Sequence, residues 1–251
     1  MLSPSQVKNA SDIVAELNRV GITNKYAQAG IISAIWKETL IKPVRENLNY
    51  TSASRLMEVF EGRFPNEASS IPYLNNPEKL GNYVYGGRFG NAANEGFKYR
   101  GAGYNGLTFK GAYQLYGDKI GVDLVNNPDK ANEPETAAKI IASFYSDLYN
   151  KHSSEIQGKY NASPNNFKDL DTAVKAAISA TAGFPSSWNR TVNEGYAKAS
   201  TVAPSIYADQ SIFSTNYLMK NKVKVVIAAT IIVAMVGFGI YAVYYKQVKN
   251  A

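Results

Sequence analysis

The sequence predicts a mainly α-helical chain, with a helical soluble domain followed by a single membrane-spanning helix at the C-terminus. Three observations lead there: apolar residues recur at helical spacing in several segments, no alternating run is longer than a hairpin, and the 21 residues from Val225 to Tyr245 carry no charge.

At about 1.5 Å per residue, that last run matches a hydrocarbon layer of about 30 Å. Lys220, Lys222 and Lys224 precede it, Lys246 and Lys249 follow it, and Tyr241, Tyr244 and Tyr245 supply interfacial aromatics at one boundary. The run has no polar face, as a helix packed on a soluble core would have. The expected organisation is a domain over 1–205, a linker over 206–221 and a transmembrane helix over 222–247, with the lipid bilayer as partner of residues 225–245. The N-terminal MLSPSQVKNASDIVAELNRV lacks a basic region followed by an apolar stretch, so no secretory leader is expected there.

Charge and composition exclude several chemistries. The net charge is +7, but residues 1–219 hold 22 basic and 20 acidic side chains, so the excess belongs to the tail. No basic stripe interleaved with aromatics appears, and no nucleic-acid partner is expected. With no cysteine there is no thiol nucleophile, disulfide or thiolate metal site. The lone His152 lies in the polar stretch NKHSSE, which argues against a Ser-His-Asp triad and against a metal; no cofactor is expected. The chemistry must come from carboxylates, hydroxyls and amides.

Along the soluble part, Ile13, Val14, Leu17 and Val20 mark a helix capped by Ser11 and stopped by Gly21. Asn24 caps a second run, KYAQAGIISAIWKETL, which is apolar almost all round and must be central to the core; Pro43 sets its latest end. Thr51 to Phe60 reads as a third helix, 65–77 as loop, and Asn76-Pro77-Glu78 as the start of a helix reaching Tyr85. Seven glycines between Gly86 and Gly106 predict loops that approach something closely. Two alanine-rich helices follow, at Glu133 to Tyr149 and Asp169 to Ala182, and after Val202 the small and polar residues read as linker.

Two carboxylates draw attention. Glu38 ends the most apolar helix, and Glu46 stands just beyond Pro43. Glycosidic bond cleavage needs one protonated and one ionised carboxyl, and a partly desolvated helix end suits the first while a wetter segment suits the second. Taken alone, the pair is equally what a solvated surface shows, because glutamates at helix ends are mostly exposed.

The segments AGIISAIWKETL, VRENLNYTSASRLMEVFEGRF, NPEKLGNYVYGGRFGN and GFKYRGAGYNGLTFKGAYQLYG, in this order, resemble the chitinase-like lysins of glycoside hydrolase family 19, those of bacteriophages especially. The later AGFPSSWNRTVNEGY is similar to that family's asparagine-glycine substrate segment, so the resemblance covers most of residues 10–200. It implies a two-lobed, mostly helical, lysozyme-like fold and an inverting hydrolysis. By the same resemblance Glu38 matches the general acid, Glu46 the base or charge stabiliser, Thr108 the hydroxyl that helps hold the attacking water, and Asn193 a sugar-binding asparagine. Tyr50, Tyr85 and Tyr104 are candidates to stack on sugar rings, while Arg88 and Arg100 are expected to brace the glycine loops by pairing with carboxylates.

The departures are specific. The family usually has histidine before its acid and a glycine pair shortly after; here stand Lys37, then Leu40 and Ile41. Ala102 and Gly106 lack polar side chains that the family carries in its Arg-Gly-Arg-Gly block, and Glu194-Gly195 replaces Gly-Gly after Asn193. The resulting expectation is a peptidoglycan muramidase anchored in a membrane, that of a phage virion or else the host envelope. Its partners are then glycan strands, the bilayer and other membrane or capsid proteins of the virion. Two alternatives stay open: a chitinase, and a wall-binding or structural virion membrane protein that has lost the chemistry.

Overall fold

A computed structural model describes residues 1–185 and 189–214. Met1–Ile212 form a first compact unit. The membrane span expected over 225–245 falls outside the described residues, and no helix among those described is long and apolar enough to cross a membrane.

The first unit is built from helices, with no strand among the described residues. In order these are α1 (Pro4–Arg19), α2 (Lys25–Thr39), α3 (Ala53–Val59), α4 (Glu67–Ser70), α5 (Pro77–Tyr85), α6 (Lys110–Ile120), α7 (Pro134–Lys151), α8 (Ser153–Tyr160), α9 (Leu170–Thr181), α10 (Arg190–Ala208) and α11 (Gln210–Phe213).

Helix α1 begins seven residues before the expected Ser11. Ser3 accepts from the Gln6 amide while the Gln6 side chain accepts from the Ser3 amide, a reciprocal cap with Pro4 in the first turn. Ser11 is instead buried mid-helix and donates to the Ser211 carbonyl. Helix α2 starts where Asn24 accepts from the Ala27 amide, and every residue from Ala27 to Ile35 is buried. It packs between α9 and α10, while α1 lies on α7. At the α2–α9 crossing a β-carbon on Gly30 would sit 2.6 Å from the Ala173 carbonyl oxygen. The two backbones therefore meet over small residues, and any side chain at 30 would push the helices apart at a cost of about 1–3 kcal/mol.

Helices α3 and α5 shelter a smaller apolar cluster of Leu48, Leu56, Phe64, Leu80 and Val84, with Tyr50, Phe60 and Tyr85 packed against it. A further cluster, of Tyr99, Leu107, Tyr113, Tyr116 and Ile140, joins the glycine loop to α6 and α7.

Some expectations need correcting. The 65–77 stretch is not all loop, because Asn66 caps the single turn of α4 and a 3-10 turn follows at Ile71–Tyr73. Helices α6 and α8 occupy stretches given no assignment from sequence. The linker expected from 206 starts too early: α10 runs through Pro204 to Ala208, and Ile206 and Ile212 are buried. Burial of Ala203 and Ile206 outweighs the amide donor that Pro204 lacks.

The exit from α2 matters most for the site. Leu40 and Ile41 both adopt left-handed backbone, with φ of 54° and 56°, where the family resembled has its glycine pair. Such a conformation costs a residue with a side chain about 1–2 kcal/mol. The cost is offset locally: Ile41 is fully buried, the Asn9 side chain donates Nδ2 to the Ile41 carbonyl at 2.8 Å, and the Gln6 side chain donates Nε2 to that of Leu40 at 2.9 Å. Both donors belong to the early turns of α1 that precede Ser11.

Asn9→Ala leaves the Ile41 carbonyl without this donor, a loss of about 1–3 kcal/mol. For a domain of this size the melting temperature should fall by about 2–10 °C in a thermal scan. An unchanged value would show that the left-handed turn does not depend on α1.

Candidate active site

Glu38 lies in the last turn of α2, where the helix leaves the core. Its side chain is 54% exposed, and its carboxylate is ion-paired with the ammonium of Lys37, itself only 22% exposed. The desolvated setting expected for this carboxyl is therefore absent. What is apolar is the cavity it borders, about 380 Å³, walled by Ile35, Ile141, Phe144, Ile178 and Val192 from α2, α7, α9 and α10. Tyr145 also lines this cavity; its phenol is held well above the usual range by complete burial and then by the Glu38 charge.

Beyond Pro43 the chain runs antiparallel to the glycine loop. The Val44 amide donates to the Gly103 carbonyl at 3.1 Å, and the Glu46 amide to that of Gly101 at 2.8 Å. This pairing aims the Glu46 carboxylate at two donors, Tyr85 Oη at 2.7 Å and the Gly101 amide at 3.1 Å. Burial, followed by the hydrogen bond to Glu46 and its charge, pushes the Tyr85 phenol well up, so that it stays a donor. Glu46 is thus a fixed acceptor.

The remaining expected residues divide. Tyr50 is half-buried beside Glu46; burial and then the Glu46 charge raise its phenol, and its ring meets Phe60 edge-on. Tyr85 is tied down by its hydrogen bond and by edge contacts with Phe60 and Phe109. Tyr104 is 1% exposed, so it forms cavity wall and has no free face for a sugar; its phenol is raised by burial and then by the charge of Asp12 on α1. Thr108 donates to the Gly106 carbonyl at 2.7 Å, which spends its proton and leaves its oxygen as an acceptor. Asn193 stands exposed on α10, next to Val192 of the cavity wall.

Arg88 and Arg100 do brace the loops, but through carbonyls and aromatic faces rather than carboxylates. Arg88 donates to the Val84 carbonyl and lies over Phe89 and Phe109. Arg100 donates to the carbonyls of Glu46 and Phe97, its guanidinium 3.9 Å from the Phe97 ring centre.

The segment from Gly101 to Thr108 connects the two glutamates. Gly101 touches Glu46, Tyr104 and Asn105 reach the cavity of Glu38, and a mutual pairing of Ala102 with Leu107 closes the loop ahead of Thr108. Sequence reading passed over Asn105 and Tyr145, since neither stands in a motif. His152 is buried, within 3.3 Å of Glu155 and against Phe184, away from this arrangement. Among the described residues no three acidic or histidine side chains converge as metal ligands would.

Comparison with known proteins finds similarity to a glycosyl hydrolase family 19 domain-containing protein of Haemophilus influenzae. The two are 30% identical over 141 residues, which make up 54% of this chain and 66% of that protein, just short of two thirds of its length. No family model matches the chain.

Tyr85→Phe deletes one of the two donors to Glu46. Because Glu46 is only partly buried, the loss should be about 1 kcal/mol, at the low end for a bond to a charged group, and the melting temperature should drop by about 2–4 °C. A variant as stable as the parent would show that this bond does not hold Glu46.

Proposed function

We propose that this chain is an inverting glycoside hydrolase that cuts the glycan strands of peptidoglycan. The observation that carries the reading is the placement of Glu38 and Glu46 along a single glycine-rich segment that also bears Thr108. Glu38, on an open cavity rim, is placed to donate its proton to the glycosidic oxygen as the bond from the anomeric carbon breaks. Glu46, held as an acceptor, takes a proton from water that Thr108 Oγ1 helps to orient, and the hydroxide adds to the anomeric carbon from the opposite face. One sugar leaves with the proton of Glu38, and the other gains the hydroxyl with inverted configuration.

The 21 uncharged residues between flanking lysines support a second part of the proposal: the domain is tethered to a bilayer, that of a phage particle used at host entry. Tethering replaces diffusion by a high local concentration beside the membrane, so modest turnover opens the wall nearby. Carbonate washing should leave the full-length chain in the membrane pellet, and deletion of 225–245 should release it; release of the intact chain would refute the tether.

One observation favours a different reading. The contact of Lys37 with Glu38, at a helix end where the resembled family carries histidine, suits a wall-binding protein that no longer cleaves. Purified full-length protein and sacculi separate the two. A hydrolase releases reducing ends, and Glu38→Gln and Glu46→Gln each slow that release by about a hundredfold or more, the scale of a general acid or base. Retention on sacculi without reducing ends, equal in all three proteins, would establish the binder instead. Mass analysis of released muropeptides, beside chitin oligomers, assigns the bond.

A further inference from the structure

Lys37 brings to the cavity a charge that hydrolysis itself does not require. Its stem is mostly buried, its ammonium lines the cavity of Glu38, and among the described residues its one ion pair is with Glu38. Adjacent residues on a helix project about 100° apart and do not face each other, so this pair forms only because both side chains turn to the same cavity. An ion pair with one partner more than half exposed is worth little, about 0–1 kcal/mol. Beside the ammonium stands Gly195 of α10: a β-carbon there would make ordinary contacts, 3.6 Å from Nζ and 3.7 Å from Ile178, so the glycine leaves a methyl-sized space on that flank. Most of the surrounding wall is apolar. A cation in such a wall, weakly engaged and open on one side, is a position for an incoming anion, and a low local dielectric strengthens the contact.

We infer that Lys37 determines specificity by binding a carboxylate borne by the glycan, so that the cavity takes an acidic N-acetylated sugar in preference to a neutral one. This rests on the glycan-cutting reading above and names its substrate class. Two kinds of carboxylate in peptidoglycan have this chemistry, the lactyl group of a muramic acid that carries no peptide and, where a peptide is attached, the acids of that peptide; chitin has neither. Exchange of one carboxylate for another at Lys37 also frees Glu38 to meet the glycosidic oxygen, so recognition of the acidic sugar and presentation of the acid become one event.

The test uses full-length wild type, Lys37→Gln, Lys37→Met and Lys37→Arg on three substrates: intact sacculi, sacculi stripped of peptide by an amidase so that the lactyl carboxylate remains, and chitin oligomers. Both neutral variants should raise KM on sacculi by about tenfold or more, the scale of one charge-assisted hydrogen bond, and lower the ratio of sacculus to chitin kcat/KM to match. Lys37→Arg should keep that ratio. A deficit on the stripped sacculi assigns the contact there to the lactyl carboxylate that the amidase frees, and a deficit on intact sacculi alone, where that carboxyl is an amide, assigns it to the peptide. If the wild type is active and the neutral variants keep its ratio, whether kcat/KM is unchanged or falls equally on all substrates, the inference is overturned while the hydrolase stands. A wild type inactive on all three overturns the hydrolase reading itself.

Discussion

The left-handed pair Leu40–Ile41 decides where both glutamates stand. Had α2 continued, the eight residues from Glu38 to Glu46 would have carried the second carboxylate about 12 Å further along the same helix axis. Two successive residues at positive φ instead turn the chain out of the helix, and the backbone pairing of 44–46 with 101–103 brings it against the glycine loop. A branched residue is costly there, and the cost is borne by the burial of Ile41 and by two amides of α1. The first helix of the chain thus supports the site without contributing a side chain to the chemistry.

Rigidity and exposure are divided between the two carboxylates. Glu46 is clamped by a phenol and a backbone amide, both anchored in packed structure, and its position follows from the aromatic cluster around Phe60, Tyr85 and Phe109. Glu38 stands near the end of a helix in which every residue from Ala27 to Ile35 is buried, so its backbone is fixed while its carboxyl is free to exchange partners. The hydrolysis proposed above asks for this division, since in an inverting displacement the water must be held still and the leaving group must be followed as it departs.

Much of the architecture was legible in residue patterns. The caps at Asn24, Asn76 and Asp169 and the apolar spacing of α2, α7 and α9 are local signals, and α2, α5 and α9 each begin where the cap side chain accepts from the amide three residues on. The Ser3–Gln6 cap was equally local and was passed over in favour of Ser11, because the apolar spacing starts only at Ile13. The continuation of α10 through Pro204 had no local signal at all. It depends on Ile206 and Ile212 finding a core, and burial is a property of the assembled chain.

The same division runs through the site. Composition by itself excluded thiol chemistry, because an absent side chain excludes a mechanism in any fold; Glu38 and Glu46 drew attention as carboxylates, and their proposed roles rested on the resemblance. Only the tertiary structure decided what each group touches. It buried Tyr104 as wall, gave the Tyr85 hydroxyl to Glu46, left Glu38 exposed and set Lys37 against it. Solvation and partnership arise where distant segments meet, and the sequence of one helix does not hold the positions of the others.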